Sequence, residues 1–281
     1  MIQLDHVGFT YPGQTTSLFD QFNWRSGRGE FWAVIGPSGC GKSTLLHLIV
    51  GARSANQGTI TVNGEAVPRK KNRGKTGLVL QDYGMLPWAT VRENVELGLR
   101  IRRFYGQDEP AVARSRQTAT KQSPSYAEFA SPPAVARSDA SRVDFWLDRF
   151  GLGALRDKYP AQISGGQRQR AAIARTLVLE PDVLLMDEPF SALDAPTRED
   201  LEQLTLNLQS ETKTTTVFVT HNIEEAVFLG QRILVLSAPP HGSPVRVVEN
   251  PGAGRAEYRD EPAFAQKAHA LREILKNNAQ A

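Results

Sequence analysis

The first forty residues place short apolar runs between turns, which is the pattern of a β-rich region. We predict strands over residues 2–9, 19–24 and 31–35. The third run is continuously apolar and stops at a glycine-rich loop, and residues 45–50 then form an apolar stretch of helical length. The order strand, loop, helix is therefore expected between residues 31 and 50.

Three more apolar runs predict buried strands in the second half of the chain, over residues 183–186, 216–220 and 233–236. The first of these is followed by Asp187 and Glu188, and the second by His221. Polar residues gathered where apolar strands end indicate a covered, mainly parallel sheet with a site along one edge. Together with an antiparallel β edge from the first forty residues, this predicts an α/β fold.

Between about residues 81 and 180 the apolar spacing becomes helical, most clearly over residues 91–99, 143–150 and 165–179. We therefore expect an α-helical subdomain, about residues 86–180, inserted into a core formed by about residues 1–85 and 181–240. Within it, residues 106–141 contain eight Ala, six Ser and four Pro among 36 positions, with no Leu or Ile. Because half of this segment buries little apolar surface, we expect a flexible, solvated insertion, with a regulatory or partner-docking role as the alternative.

The end of the chain carries Phe264, Ala268, Leu271 and Leu275 at helical spacing. We expect a C-terminal extension over residues 241–281 that includes a terminal helix. We expect no second folded regulatory domain in this short extension.

Composition narrows the class of protein. The 281 residues are 40% hydrophobic and 22% charged, and no run of eighteen apolar residues occurs, so we expect a soluble protein. Lys and Arg number 33 against 30 Asp and Glu, and a net charge of +3 gives no general electrostatic argument for a nucleic-acid partner. Cys40 is the sole cysteine, and the start lacks the features of a signal peptide, so a cytosolic location is the expectation.

A phosphate-binding loop is indicated by the motif G-x-x-x-x-G-K-[ST], which the chain matches at Gly36-Pro37-Ser38-Gly39-Cys40-Gly41-Lys42-Ser43, followed by Thr44. The motif lies between a predicted strand and a predicted helix, as its chemistry requires. Backbone N–H groups of such a loop surround phosphate oxygens, Lys42 supplies a cation to the β- and γ-phosphates, and Ser43 can ligate Mg²⁺. The alternative is a glycine turn that only caps a helix. Cys40 is interpreted as a small loop residue rather than a redox switch.

The carboxylates that follow the strand at residues 183–186 complete this chemistry. In P-loop enzymes such a strand brings an aspartate to the metal, here Asp187, and the adjacent Glu188 could polarise the attacking water. Two neighbouring carboxylates at a strand end are costly unless a cation is near. A plain solvated turn is the alternative.

One segment distinguishes among P-loop families. The chain resembles the signature motif of ATP-binding cassette ATPases at Ile163-Ser164-Gly165-Gly166-Gln167-Arg168-Gln169-Arg170. Other motifs of that family stand in the family's order, namely Tyr11, the P-loop, Gln81, Asp187 with Glu188, Ser191-Ala192-Leu193-Asp194 and His221. The resemblance covers about residues 1–240 and implies a P-loop ATPase domain that binds ATP and Mg²⁺, with the 106–141 insertion as its chief departure.

The resemblance implies roles for individual residues. Gln81 would touch Mg²⁺ or the attacking water, and His221 would contact the γ-phosphate and help to hold water near Glu188. Tyr11 would stack on adenine, and Asp194 would lie along a dimer interface. Taken singly, each of these residues has an ordinary structural explanation.

The signature segment implies a homodimer. Ser164, Gly165 and Gly166, with Gln167, begin a predicted helix and offer an anion-binding end, although a simple N-cap turn would look the same. In the family, this segment of one protomer closes over the ATP bound by the other. Two copies are therefore expected to share two nucleotides.

The family also implies what the ATPase drives. Its members without a fused membrane domain are most often peripheral subunits on the cytoplasmic face of the membrane, under separate permeases, with a solute-binding protein as an indirect partner. Residues 83–88 supply an apolar surface for such docking, or pack on their own subdomain. Residues 86–95 and 191–198 are similar to importers of nitrate, sulfonate and taurine, whereas Gln167 replaces a methionine typical of that group. A non-transport ATPase acting on ribosomes or nucleic acid, and a regulator with a decayed site, are the alternatives.

Overall fold

A computed structural model describes residues 1–68, 76–105, 139–242 and 245–279. These residues divide into two compact units. The first is formed by residues 1–68, 76–81, 182–242 and 245–279, and the second by residues 82–105 and 139–181. The expected insertion at residues 106–141 lies outside the described residues except for its last three positions, which begin a helix. No helix among the described residues is long and apolar enough to span a membrane.

The strands, in chain order, are β1 (Ile2–Phe9), β2 (Phe19–Ser26), β3 (Phe31–Ile35), β4 (Gln57–Val62), β5 (Glu65–Ala66), β6 (Thr76–Val79), β7 (Val183–Asp187), β8 (Thr215–Val219), β9 (Arg232–Val235) and β10 (Arg246–Glu249). The helices are α1 (Lys42–Val50), α2 (Val91–Tyr105), α3 (Asp139–Arg149), α4 (Gly165–Leu177), α5 (Ala195–Thr212), α6 (Ile223–Leu229) and α7 (Pro262–Ala279). Every strand and helix given bounds from the sequence is confirmed, although α2 continues to Tyr105, past its predicted end at residue 99. The sequence analysis gave no bounds for β4, β5, β6, β10, α5 and α6.

The first unit contains two sheets. An antiparallel sheet has the order β2-β1-β4-β5, and a six-stranded sheet has the order β10-β9-β3-β8-β7-β6, in which only β10 is antiparallel to its neighbour. All residues of β3, β7 and β8 are buried, which explains why their sequences are continuously apolar rather than alternating. The predicted α/β fold with a mainly parallel sheet and an antiparallel β edge is confirmed.

A hydrophobic core joins the two sheets and α1. It includes Leu4 and Trp24 from the antiparallel sheet, Leu45 and Leu46 from α1, and Trp32 from the parallel sheet. The two indole rings meet edge to face with centroids 5.0 Å apart. Each large side chain buried in this way contributes about 2 kcal/mol, so the core holds the strand ends that carry the site in place.

The second unit is helical, as predicted, with α2 packed on α3 and α4. Asn94 of α2 is almost fully buried, and its Nδ2 donates to the carbonyl oxygens of Leu86, Ala89 and Thr90 at 3.0–3.1 Å. The Leu86 N–H donates to Asn94 Oδ1 at 2.8 Å. One buried amide thus fixes the loop that precedes α2.

The C-terminal extension contains the predicted terminal helix, α7, whose Ala268 and Leu271 are buried. It also contains β10, which adds a strand to the parallel sheet.

Candidate functional site

The polar residues expected at the sheet edge follow four neighbouring strands. Gly36 comes directly after β3, His221 follows β8, Asp187 ends β7 and Gln81 follows β6. Because β3, β8, β7 and β6 are parallel neighbours, their carboxyl ends lie side by side. The site predicted at this edge is therefore one contiguous group of side chains in the first unit.

The P-loop between β3 and α1 is closely packed around its lysine. Lys42 is 7% exposed, and its Nζ donates to the carbonyl oxygens of Gly36 and Pro37 at 2.8 and 2.9 Å. A Cβ at Gly36 would lie 2.7 Å from the Leu236 carbonyl oxygen, so only glycine fits. The ammonium group is thereby held inside the loop, where a bound phosphate would meet it.

The start of α1 is suited to an anion. Its N-cap is Gly41, whose φ of 98° lies in the left-handed region that strongly favours glycine. Because glycine has no side chain, nothing from the N-cap occupies the first N–H groups of the helix. The first turn contains no acidic residue. Free N–H groups and the positive end of the helix dipole fit the phosphates of a nucleotide.

Ser43 and Asp187 form a pair of oxygen ligands beside the loop. Ser43 Oγ donates to Asp187 Oδ1 at 3.0 Å. Burial raises the pKa of Asp187, and the hydrogen bond from Ser43 partly opposes this shift. A buried carboxylate next to a hydroxyl is suited to a hard divalent cation.

The oxygen pair fits Mg²⁺ only together with a nucleotide. Among the described residues, no cluster of three or more His, Cys, Asp or Glu side chains could hold a metal alone. Mg²⁺ in nucleotide sites is typically held by one or two protein oxygens, with phosphates and water completing the shell. The donor set therefore suits a nucleotide-bound magnesium ion rather than a resident metal.

Glu188 lies at the centre of the site. Its backbone has φ 44°, outside the usual range for a residue with a Cβ, and its N–H donates to the Val219 carbonyl oxygen at 3.0 Å. Its Oε2 lies 3.1 Å from His221 Nδ1 and accepts from Gln81 Nε2 at 3.4 Å. An unfavourable backbone conformation held by neighbouring strands, with two polar side chains on one carboxylate oxygen, is typical of functional sites.

Tyr11 is tied to α1. Its hydroxyl group and Thr44 Oγ1 are hydrogen-bonded at 2.5 Å. The rings of Phe9 and Tyr11 meet edge to face with their centroids 5.0 Å apart. The guanidinium of Arg53 lies 5.0 Å from the ring centroid, over one face. The predicted stacking residue is thus attached to the helix that begins at the P-loop.

The signature residues belong to the second unit. Ser164 is the N-cap of α4, its Oγ accepts from the Gln167 N–H at 3.2 Å, and Gln167 Oε1 accepts from the Ser164 N–H at 2.9 Å. This reciprocal pair is a capping box, which gives a local reason for a glutamine at residue 167. Gly165 and Gly166 are the first two residues of the helix, and Ser164 is exposed.

Asp194 is the N-cap of α5 and is exposed, followed by Pro196 in the first turn. Its carbonyl oxygen accepts from the Arg198 N–H at 3.0 Å. Asp194 therefore lies on the surface of the first unit, a few residues after Glu188.

Sequence reasoning missed residues that support the site from behind. Buried His241 donates from Nε2 to the Cys40 carbonyl oxygen of the P-loop, because a carbonyl oxygen only accepts. Thr220 and Asn222, on either side of His221, both bond to Glu225. Nothing in the sequence signals these residues, because they act through contacts rather than a motif.

The fold and the site define a P-loop nucleotide-binding protein, with a glycine-rich loop between strand and helix and an acidic residue on a neighbouring strand. The family model described as "ABC transporter" matches residues 19–191. The chain therefore belongs to the ABC transporter family of ATP-binding proteins, as the resemblance implied.

Curated relatives extend the similarity over most of the chain. It is 37% identical over 251 residues to the aliphatic sulfonates import ATP-binding protein SsuB of Bacillus cereus, covering 89% of this chain and 86% of the relative. It is 34% identical to the taurine import ATP-binding protein TauB of Pseudomonas aeruginosa, covering 98% and 95%. It is also 34% identical to the nitrate import ATP-binding protein NrtD of Synechococcus elongatus, covering 94% and 88%.

A solved structure is similar as well. The ATP-binding cassette MJ0796, described as a dimer in a post-hydrolysis state bound to ADP and Pi, aligns with a TM-score of 0.65 at 31% identity. The alignment covers 84% of this chain and 94% of that one. This agrees with the α/β fold described above.

Proposed function

We propose that this chain is the ATP-hydrolysing subunit of an importer that drives uptake of a small solute through separate membrane permeases. The observation that carries the proposal is the arrangement around Glu188, whose carboxylate lies against His221 and Gln81 on the strand edge that also holds the P-loop. A site that only bound nucleotide would not need a carboxylate held beside an imidazole in this way.

In this mechanism the P-loop binds the nucleotide. Lys42 and the N–H groups at the start of α1 hold the β- and γ-phosphates, while Gly36, Pro37, Ser38, Gly39, Cys40 and Gly41 shape the loop. Ser43 and Asp187 would hold Mg²⁺ together with the phosphates, and Gln81 would add a polar contact. When bound, the ion neutralises charge on the phosphate oxygens.

Glu188 acts on the attacking water. Its carboxylate orients the water and accepts its proton, while His221 contacts the γ-phosphate and keeps the carboxylate in place. Tyr11 stacks on adenine through the ring face opposite Arg53. Alternatively, the base displaces Arg53 and stacks on the ring face that Arg53 covers.

Two copies are needed for turnover. Ser164, Gly165, Gly166 and Gln167 of one copy complete the site of the other, and Asp194 lies at the interface. Accepting a bond from Gln167 leaves the Ser164 hydroxyl hydrogen free to donate to a phosphate. The dimeric relative bound to ADP and Pi supports this part of the proposal.

The permeases dock on the second unit. A groove of about 500 Å³ there is lined by Leu86, Trp88, Ala89, Glu93, Leu97, Arg100 and Ile101. Trp88 is 74% exposed and Ile101 is 49% exposed, which is unusual for such large apolar side chains. A short cytoplasmic helix of a permease fits a groove with an aromatic anchor and charges of both signs at its rim. Tyr83, expected on this surface, is instead buried.

The solute class follows from the relatives. The names of three relatives give sulfonates, taurine and nitrate, all small anions or zwitterions, as what they import. We propose the same class here, delivered by a solute-binding protein, with this chain at the cytoplasmic face of the membrane.

The proposal is tested by two measurements on the full chain. Glu188→Gln should bind ATP with near-native affinity but lose most hydrolysis, about 100-fold or more, because the amide cannot accept the proton. Near-normal hydrolysis would contradict the role of Glu188. Gently solubilised membranes should yield permeases bound to the chain, whereas recovery of ribosomes or nucleic acid would favour the non-transport alternative.

A further inference from the structure

The C-terminal extension packs against α6, the helix that begins two residues after His221. Buried Asn250 donates from Nδ2 to the carbonyl oxygens of Val227 and Gly230 at 2.7 and 2.8 Å. Tyr258 donates its hydroxyl hydrogen to Asn250 Oδ1 at 2.7 Å. The last carbonyls of a helix have no partner within the helix, so the extension caps the end of α6.

A buried charge cluster adds a second attachment. The guanidinium of Arg259 lies 3.8 Å from the ring centroid of Phe228 on α6 and pairs with Glu202 of α5, whose side chain is 1% exposed. Burial raises the pKa of Glu202 to about 7, and Arg259 opposes this shift most strongly. Removing Arg259 would therefore leave a buried carboxyl without its cation.

The start of α6 is bonded to the residues around His221. Glu225 Oε2 accepts from Thr220 Oγ1 at 2.6 Å, and Glu225 Oε1 accepts from Asn222 Nδ2 at 3.3 Å. Asn222 Oδ1 in turn accepts from the Glu224 N–H at 2.9 Å as the N-cap of α6. His221 thus lies between two residues that are both held by one glutamate of α6.

Charged groups meet from three elements at this point. Arg198 of α5 lies 3.6 Å from Glu225, and Arg259 of the extension pairs with Glu202. Arg259 also lies 3.6 Å from Glu199 of α5, so three carboxylates, two of them buried, meet two guanidinium groups here. Such a cluster holds its helices in one arrangement, because any displacement would leave a charge unpaired.

We propose that the C-terminal extension positions His221 for hydrolysis. Asn250 and Arg259 hold α6 in place, and Glu225 of α6 in turn fixes Thr220 and Asn222 on either side of His221. The extension lies beyond the residues that the family model matches, which end at 191. The inference rests on the role proposed above for His221. Arg259 and Asn250 are positioning residues, since neither contacts the nucleotide loop.

Hydrolysis by the purified full chain with Arg259→Met tests this. We expect kcat to fall about 10-fold while KM for ATP stays within about 2-fold, because a misplaced His221 weakens the chemical step and leaves the P-loop intact. Arg259→Lys should recover part of the loss. Lys276→Met is the matched control, since Lys276 is an exposed cation of the extension that pairs with Glu273 of the same helix, and this variant should behave as the native chain.

A second variant separates positioning from folding. Arg259→Met combined with Glu202→Leu removes both charges of the pair, including the buried carboxyl, and should restore thermal stability. If kcat stays low in this stable variant, the positioning role is supported. If kcat returns to the native value with stability, or if folded Arg259→Met is fully active, the proposal is wrong.

The same assays distinguish this proposal from the function it rests on. His221→Ala should lose most hydrolysis, and Arg259→Met should then add no further loss. Normal hydrolysis by His221→Ala would overturn the role of His221 itself, whereas an impaired His221→Ala beside a normal Arg259→Met would overturn only the role of the extension.

Discussion

The two helices that begin at glycine-rich segments are built differently. At α1 the N-cap is Gly41, which offers no side chain, and Lys42 folds back onto the loop carbonyls. At α4 the N-cap is Ser164, and a capping box with Gln167 already uses the Ser164 Oγ as an acceptor and occupies two backbone N–H groups, those of Ser164 and Gln167. The start of α1 leaves its backbone donors for a ligand, whereas two backbone donors at the start of α4 are already bonded to its own side chains.

This difference has a functional consequence. A helix start without a capping side chain gains free energy when an anion arrives, because its N–H groups otherwise rely on water. A capped start gains less and needs other contacts to bind the same anion. We therefore expect α1 to bind nucleotide in a single copy, and α4 to contribute only when a second copy supplies the rest of the site.

The largest effect is expected at α1. Lys42→Ala should weaken ATP binding about 100-fold, because it removes a buried cation that lies within the phosphate loop. Titration of the purified chain with a fluorescent ATP analogue measures this. An unchanged affinity would contradict the assignment of the P-loop.

Tyr11 tests whether adenine binding belongs to the same region. Tyr11→Ala should reduce ATP affinity about 10-fold through loss of stacking, whereas Tyr11→Phe should have little effect because it loses only the bond to Thr44. Binding of inorganic triphosphate, which has no base, serves as the control and should be equal in all three proteins. Equal ATP affinity in Tyr11→Ala would show that the base binds elsewhere.

Ser164 tests the capped start. Ser164→Ala should leave the ATP affinity of the single copy unchanged. It should lower hydrolysis about 10-fold, because it weakens the site that two copies share. Loss of the cap should also lower the free energy of unfolding by about 1 kcal/mol. Ser164→Thr keeps the hydroxyl and should retain most of both properties. A decrease of nucleotide affinity in the monomer would mean that α4 acts within one copy.

The smallest effect concerns pH. Burial lowers the pKa of His241, which contacts the P-loop at Cys40, from its ordinary value of 6.5. The folded chain then binds fewer protons than the unfolded chain, so stability falls as pH drops below about 6.5. Urea unfolding of the native chain and His241→Gln between pH 7.5 and 5.5 measures this. We expect a steeper loss in the native chain, and parallel curves would contradict the buried neutral histidine.

Much of the fold was predictable because its strands and the P-loop are local features. A continuously apolar run such as Phe31–Ile35 reads as a covered strand, and the glycine spacing after it reads as a phosphate loop wherever the chain places it. The elements that were missed, such as α5 and β10, have mixed composition, and their burial depends on neighbours distant in sequence.

The sequence by itself determined the class of protein, the nucleotide loop, and which polar residues follow which strands, since these depend on residue type and short spacing. Tertiary structure decided what surrounds them. It placed Gln81 and His221 on one oxygen of Glu188, bonded His241 to the P-loop, and attached the extension to α6. These contacts join residues up to 201 positions apart, and only the packed sheet and its helices bring such distant side chains together.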